Sequence, residues 1–149
     1  MLHPFGRVAL VAIASASLLA AHASAQESAA PPAPAAVTLL ETPNGADGIP
    51  FAYPAGAQAL VTAVEVSWPV GSRTGWHRHD VPLFNYLLEG ELTVTYEDGA
   101  VRTLRTGEAV IEAVGVAHFG ANNGDAPARL LSVVLGAEGV PYTVQLPEP

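Results

Sequence analysis

The stretch "GWHRHDVPLFNYLLEGELTV", Gly75 to Val94, contains two histidines separated by one residue and then short apolar segments around a turn. On a β-strand, residues i and i+2 point to the same face and lie roughly 6.5–7 Å apart. His77 and His79 can therefore direct both imidazoles at one ion, at the roughly 2.0–2.1 Å of a metal–nitrogen bond. Leu83, four residues after His79, is apolar, although a metal site could use a carboxylate at this position. The sequence therefore raises the question of which group completes a site formed by these two histidines.

The segments on either side of this stretch predict an all-β domain. "ALVTAVEVSW", Ala59 to Trp68, is rich in β-branched residues and partly alternates, as is typical of a strand. "FNYLL" and "LTVTYEDG" flank the turn "EGE" and predict a hairpin, with a second hairpin at Asp98-Gly99. Gly107 and Gly115 separate further short strands, and no window has helical periodicity. We expect eight or more short strands closed into a sandwich or barrel, because closure protects the sheet edges.

The N-terminal part of the chain predicts export. "MLHPFGR" carries one positive charge, and the short apolar segment "VALVAIASASLLA" leads to small residues at Ala23 and Ala25, the pattern of a signal-peptidase site. A retained membrane anchor is disfavoured, because the apolar segment is shorter than the roughly 20 residues of a spanning helix. We expect residues 1–25 to be a signal peptide, 26–36 an Ala/Pro-rich linker and 37–149 the folded domain, in a periplasm or the medium.

The composition argues against several classes of function. The chain of 149 residues has a formal net charge of −8 and contains neither cysteine nor lysine. Loss of residues 1–25 would remove one cation, Arg7, and leave 5 arginines against 14 acidic residues, a charge of −9. This charge opposes binding to nucleic acid and to anionic membranes. The missing residue types also exclude a disulfide framework, a thiolate nucleophile and a Schiff-base lysine.

Three of the five histidines lie outside the predicted signal peptide, namely His77, His79 and His118. His118 follows "EAVGVA", which predicts a strand, a turn and another strand, and a barrel can bring it beside the first pair. The alternative is three unrelated surface or core histidines. We favour the shared site, because this part of the chain has no other histidine, and we expect it to bind one divalent transition metal.

Two longer segments resemble the two motifs of the cupin superfamily. The segments "GSRTGWHRHDVPLFNYLLEG", 71–90, and "GEAVIEAVGVAHFGANN", 107–123, have the order and separation usual in small single-domain bacterial cupins with a type-2 cupin domain. The matching positions are Gly71, His77, His79 and Gly90 in the first segment, and Gly107, Gly115, His118 and Asn122 in the second. The resemblance covers about residues 59–135. It implies a small β-barrel, or jelly roll, and an assembly as a homodimer.

Two positions depart from the cupin pattern. Ala113 occupies the usual position of a proline in the second motif, which should only alter a turn. Leu83 occupies the position of the glutamate that is normally the fourth protein ligand in this family. Its absence puts glutamate-dependent activities in doubt, such as manganese-dependent oxalate chemistry. The family also contains three-histidine sites without a carboxylate, including dioxygenases acting on diketones and thiols, which this site resembles in ligand set.

Three further residues are candidates for the lining of the site. Leu83 should form an apolar wall beside the metal, and Asn85 shares its face, as pocket lining or in a buried structural hydrogen bond. Glu112 shares a face with Val110 and leaves three interpretations: a fourth ligand, an acceptor for an imidazole N–H, or a solvated charge. We expect that nothing acidic replaces the missing glutamate. Water or a ligand would then complete the three-histidine site, which would favour anionic chelators.

The sequence leaves competing functions open, all with a small-molecule partner. The first is a metal-dependent enzyme containing iron, manganese, zinc or nickel, with a dioxygenase-like oxidoreductase as the leading class. Iron in such a site could bind dioxygen and a chelating substrate together, whereas zinc could activate water. The second is a non-catalytic module that holds a small ligand or a metal. The third is a metal-free barrel of the sugar-epimerase type, which the absence of lysine disfavours.

Overall fold

The structure of the chain, a computed structural model, describes residues 35–148. The predicted signal peptide and all but the last two residues of the predicted linker lie outside the described residues. In the described range the chain contains strands and no helix. None of these residues belongs to a helix long and apolar enough to cross a membrane.

Nine strands form two antiparallel sheets in the described part of the chain. Their order is β1-β8-β3-β6 in one sheet and β5-β4-β7-β2-β9 in the other. The strand bounds are β1 Ala59–Trp68, β2 His77–Arg78, β3 Leu83–Glu89, β4 Glu91–Tyr96, β5 Val101–Arg105, β6 Ala109–Ile111, β7 His118–Ala121, β8 Ala128–Ala137 and β9 Val144–Gln145. The predicted all-β jelly roll is confirmed.

Several predicted boundaries match the strands closely. The segment predicted as the first strand is β1 with the same ends. Gly107, between β5 and β6, and Gly115, between β6 and β7, have positive φ angles of 85° and 78°. Glycine adopts this left-handed backbone at no steric cost, which suits both residues to the connections between these strands.

The first predicted hairpin is wrong. Strands β3 and β4 are separated only by Gly90, yet β3 pairs with β6 and β8, while β4 pairs with β5 and β7. Gly90 has a φ of 82°, and a Cβ at this position would lie 2.8 Å from the Cβ of Ala128. The chain therefore turns from one sheet into the other here instead of folding back on itself. The second predicted hairpin is confirmed as β4–β5.

Side chains from both sheets fill the interior. Strand β3 alternates buried Leu83, Asn85 and Leu87 with half-buried residues, so one face of the strand points inward. The larger cluster of buried apolar residues comprises Leu87, Leu92, Leu104, Val110, Ala128 and Leu130. A smaller cluster comprises Val81, Leu83 and Val134. The polar residues of the candidate site lie among these apolar side chains.

Candidate metal centre

The three predicted histidines come together inside the barrel. His77 on β2 and His118 on β7 lie directly opposite each other in antiparallel register. His79 follows β2 and forms an isolated bridge with Val114. The three residues are 7%, 2% and 5% exposed in the order His77, His118 and His79. One potential ligand nitrogen from each residue lies within 4.8 Å of the other two.

In all three histidines, the Nδ1 atom of the imidazole contacts a backbone carbonyl oxygen. Each Nδ1 lies 2.7–2.9 Å from a carbonyl oxygen, in the pairs His77 with Gly75, His118 with Val116, and His79 with Tyr142. In a neutral imidazole, a donating Nδ1–H leaves Nε2 with a free lone pair. Metal-binding histidines typically donate their other nitrogen in this way, which fixes the tautomer and the ring orientation.

Glu112 lies at this centre. One of its carboxylate oxygens, Oε2, is 2.7 Å from Nε2 of His79 and 3.4 Å from Nε2 of His118. The side chain of Glu112 is only 16% exposed, so its interpretation as a solvated charge is wrong. An acidic side chain therefore lies near Leu83, where the sequence led us to expect none. Glu112 faces Leu83 across the β3–β6 pair, and its N–H donates to the Leu83 carbonyl at 2.9 Å.

The donor atoms of the centre fit a metal ion. Glu112 Oε2 and His118 Nε2 are buried and have no hydrogen-bond partner among the described residues. Buried polar atoms without partners are costly, and each one needs a physical explanation. A divalent cation between them would satisfy a carboxylate oxygen and imidazole lone pairs together. Nitrogen and oxygen donors of this kind suit first-row transition metals.

The electrostatics of the centre also favour a cation. Burial alone would raise the pKa of Glu112, but its contacts with His118 and His79 outweigh burial and lower the pKa. Burial likewise tends to lower the pKa of His118, and the contact with Glu112 reverses this, so that the pKa is raised. Burial lowers the pKa of His77, because it disfavours the imidazolium form. The contacts with the imidazoles thus favour the ionised form of the carboxylate, which is the form that binds a cation.

A cavity of about 220 Å³ adjoins the three histidines. Most of its wall is apolar, including Val64, Val66, Trp68, Leu83, Leu92, Val94, Leu104, Val110, Leu130 and Val134. Asn85 also lines the cavity and donates its Nδ2–H to Glu112 Oε1 at 2.6 Å. Asn85 Oδ1 and Trp68 Nε1 are buried and lack a partner within the described residues. A mainly apolar cavity with a few polar atoms is typical of a small-molecule site.

Two residues near the centre were not predicted from the sequence. Tyr142 supplies its carbonyl oxygen to His79, and no sequence pattern marks a backbone carbonyl as a partner. Tyr96 lies opposite His118 in the β4–β7 register, with ring centroids 5.8 Å apart. Burial, together with the charge of Glu112, raises the pKa of Tyr96 to about 12. Strand pairing would have indicated Tyr96, but that pairing is not evident in the sequence.

Comparison with known proteins agrees with this architecture. A family model described as a cupin domain matches residues 64–134. A search of curated protein sequences finds no match. Among solved structures, a cupin-like protein from Thermotoga maritima has 21% identity and a TM-score of 0.52, over 58% of this chain and 64% of that one.

Two other solved structures are similar at comparable levels. The oxalate decarboxylase–formate complex from Lactobacillus farciminis has 20% identity and a TM-score of 0.51, over 60% of this chain and 27% of that one. A structure of DMSP lyases has 16% identity and a TM-score of 0.50, over 58% of this chain and 44% of that one. The chain thus spans less than two thirds of each of these three structures. At such identities the similarity shows the fold alone.

Proposed function

Because this chain is a small cupin-domain protein, we propose that it binds one divalent transition metal through His77, His79 and His118. The observation that carries this proposal is the convergence of three buried imidazoles, each held at Nδ1 by a backbone carbonyl. Nitrogen-rich ligand sets bind iron, manganese, zinc and nickel, and the ligand types alone do not select one of these metals. Metal identity is therefore a question for elemental analysis.

The cavity supports binding of a small organic molecule at the metal. Its volume of about 220 Å³ is below the roughly 300–1,000 Å³ of pockets for drug-sized ligands. Apolar side chains form most of the wall, so the body of the ligand is apolar and its polar end reaches the metal. The free Oδ1 of Asn85 can accept a hydrogen bond from a hydroxyl group of the ligand.

For the activity, we propose a dioxygenase-like oxidation of a small chelating substrate. An iron ion in the site would supply open coordination positions for dioxygen and for the substrate. The chain itself fixes the three imidazoles through the carbonyls of Gly75, Val116 and Tyr142. Its apolar wall limits the access of water to the substrate, and Asn85 orients the polar end of the substrate.

A non-catalytic binding module is the second candidate. The observation that favours it is Glu112, whose carboxylate lies beside the imidazole nitrogens. A carboxylate there can occupy one of the positions that dioxygen and a substrate would both need. Oxygen consumption by the iron-loaded protein with small diketones, thiols or phenols separates the candidates. Sustained consumption supports the enzyme, and its absence in metal-loaded protein that binds these compounds supports the module.

Export is a further part of the proposal. It is supported by the sequence of residues 1–25, with its short apolar segment and the small residues Ala23 and Ala25. N-terminal sequencing of protein from separated cell fractions tests it. A chain beginning near Gln26 in the periplasm or medium supports export, and full-length protein in the cytoplasm contradicts it.

Metal content is the direct test of the metal-binding proposal. We expect about one equivalent of a divalent transition metal per chain in protein purified from its native compartment, since three histidines form one site. Replacement of all three histidines by alanine should abolish this metal content. Arg78→Ala is the matched control, because Arg78 lies between two of the ligands but pairs with the exposed Asp80. A triple variant that keeps the wild-type metal content would refute the proposal.

A further inference from the structure

We propose that Glu112 is the fourth protein ligand of this metal, so that the facing strand supplies the carboxylate missing at Leu83. The inference rests on the metal binding proposed above and specifies its ligand set. It assigns a role to an acidic side chain that is buried in the barrel beside two imidazoles. Four features of the structure support it.

The first feature is the strand register. On β3 and β6, Phe84 pairs with Ile111, and the next residues toward the site are Leu83 and Glu112. These two are joined by a backbone hydrogen bond of 2.9 Å. Directly opposite residues of antiparallel strands point to the same face, with Cβ atoms roughly 4.5–5.5 Å apart. A carboxylate at either position can therefore reach the same region of the interior.

The second feature is the spacing of the donor atoms. Oε2 of Glu112 is 2.7 Å from Nε2 of His79 and 3.4 Å from Nε2 of His118. Two atoms that each lie about 2.1 Å from one ion are about 3.0–3.4 Å apart at the angles of octahedral and tetrahedral sites. The 3.4 Å distance to His118 matches the spacing of neighbouring ligands of one ion, and the 2.7 Å distance to His79 is about 0.3 Å shorter than that spacing.

The third feature is the side of the imidazoles that Glu112 contacts. A carboxylate that only orients a metal-bound histidine accepts a hydrogen bond from the nitrogen opposite the metal. That nitrogen is Nδ1 in all three histidines, and a backbone carbonyl already engages it. Glu112 contacts Nε2 instead, on the side where the lone pairs converge. This position excludes a purely orienting role.

The fourth feature is the difference between the two oxygens of the carboxylate. Oε1 accepts a hydrogen bond of 2.6 Å from Asn85, which fixes the plane of the group. Oε2 is buried and has no hydrogen-bond partner in the described part of the chain. One oxygen is therefore anchored, and the other is free to bind a cation through a single bond.

The proposed ligand set changes the charge of the site. Three neutral imidazoles leave a divalent ion with its full charge of two, whereas an added carboxylate reduces the net charge to one. The lower charge weakens the attraction of dianions relative to neutral or singly charged ligands. With the apolar cavity, this favours a neutral or monoanionic chelator, in contrast to the strong anion preference expected for three histidines alone.

The test is a titration of the purified chain with Zn²⁺ and Co²⁺. We expect Glu112→Gln to weaken Zn²⁺ binding by more than the roughly 10–100-fold that loss of an orienting partner costs. The visible absorption of bound Co²⁺ should also change, because it reports the ligand set. Glu138→Gln, an exposed position after β8, is the control and should match the wild type. Circular dichroism of each variant verifies the fold.

A relocated carboxylate gives a second measurement. The double variant Leu83→Glu/Glu112→Leu should bind Zn²⁺ more tightly than Glu112→Leu, because position 83 faces the same interior region. Wild-type Zn²⁺ affinity and an unchanged Co²⁺ spectrum in both Glu112→Gln and Glu112→Leu would overturn the inference. If the proposed metal binding itself is wrong, the outcome is distinguishable, because the wild-type protein would then bind neither Zn²⁺ nor Co²⁺.

Discussion

At the level of single residues, the site depends on buried polar atoms with few partners. Asn85 is 2% exposed and directs its Nδ2–H to Glu112 Oε1. Ser132 lies opposite Asn85 on β8, is also buried and lines the same cavity. Of these two residues, Asn85 is the one that is hydrogen-bonded to the Glu112 carboxylate, so they should differ in their effect on metal binding.

We predict that Asn85→Leu weakens Co²⁺ binding about 10–100-fold, the usual cost of losing a group that orients a ligand. Leucine has the same branching at Cγ as asparagine and suits the apolar surroundings, so the fold should persist. The Co²⁺ absorption spectrum should also shift, because the carboxylate plane is no longer fixed, and a purely structural role would not change this spectrum. Ser132→Ala is the control. Wild-type Co²⁺ affinity in Asn85→Leu would contradict the prediction.

At the level of strands, the sequence shows which segments are extended but not which segments pair. The alternation of apolar residues predicted β1 with its correct first and last residues, because one face of that strand is more buried than the other. Strands β3 and β6 are brought together by the whole fold, and nothing local to Glu112 indicates Leu83 as its neighbour. This explains why His77 and His79, two positions apart, were predicted as a pair. Glu112 was predicted only as a candidate for the lining of the site, and its contact with Leu83 was not predicted.

The turn at Gly90 gives a prediction about strand connection. A Cβ there would meet Ala128 Cβ at 2.8 Å and the Pro127 carbonyl oxygen at 2.9 Å, in addition to the positive φ. At Gly99 the φ is similar, but nothing lies within 4 Å. Gly99→Ala should lower the free energy of unfolding by about 1–2 kcal/mol through backbone strain, and Gly90→Ala by about 3 kcal/mol or more. Urea denaturation measures both, and equal losses would contradict the steric argument.

At the level of the whole molecule, the centre requires residues distant in sequence. His77 and His118 meet through the β2–β7 pair, and the carbonyl of Tyr142 fixes His79 from 63 positions along the chain. The histidine cluster could be predicted from the sequence, because its three residues belong to the two motifs that resemble those of the cupins. The contact from Tyr142 could not be predicted, since any residue type offers the same carbonyl. Folding must therefore precede or accompany assembly of the site.

This coupling predicts that metal binding stabilises the whole domain. In the described structure, Glu112 Oε2 and His118 Nε2 are buried and lack hydrogen-bond partners, so an ion that binds them offsets a cost of folding. A metal that binds only the folded chain contributes about 4 kcal/mol at a free concentration of 1,000 times its Kd, which corresponds to about 10 °C or more in Tm. Circular dichroism melting of chelator-treated and Zn²⁺-loaded protein measures this difference. His118→Ala should show a much smaller shift, because it lacks one of the ligands, and equal melting temperatures of treated and loaded wild-type protein would contradict the coupling.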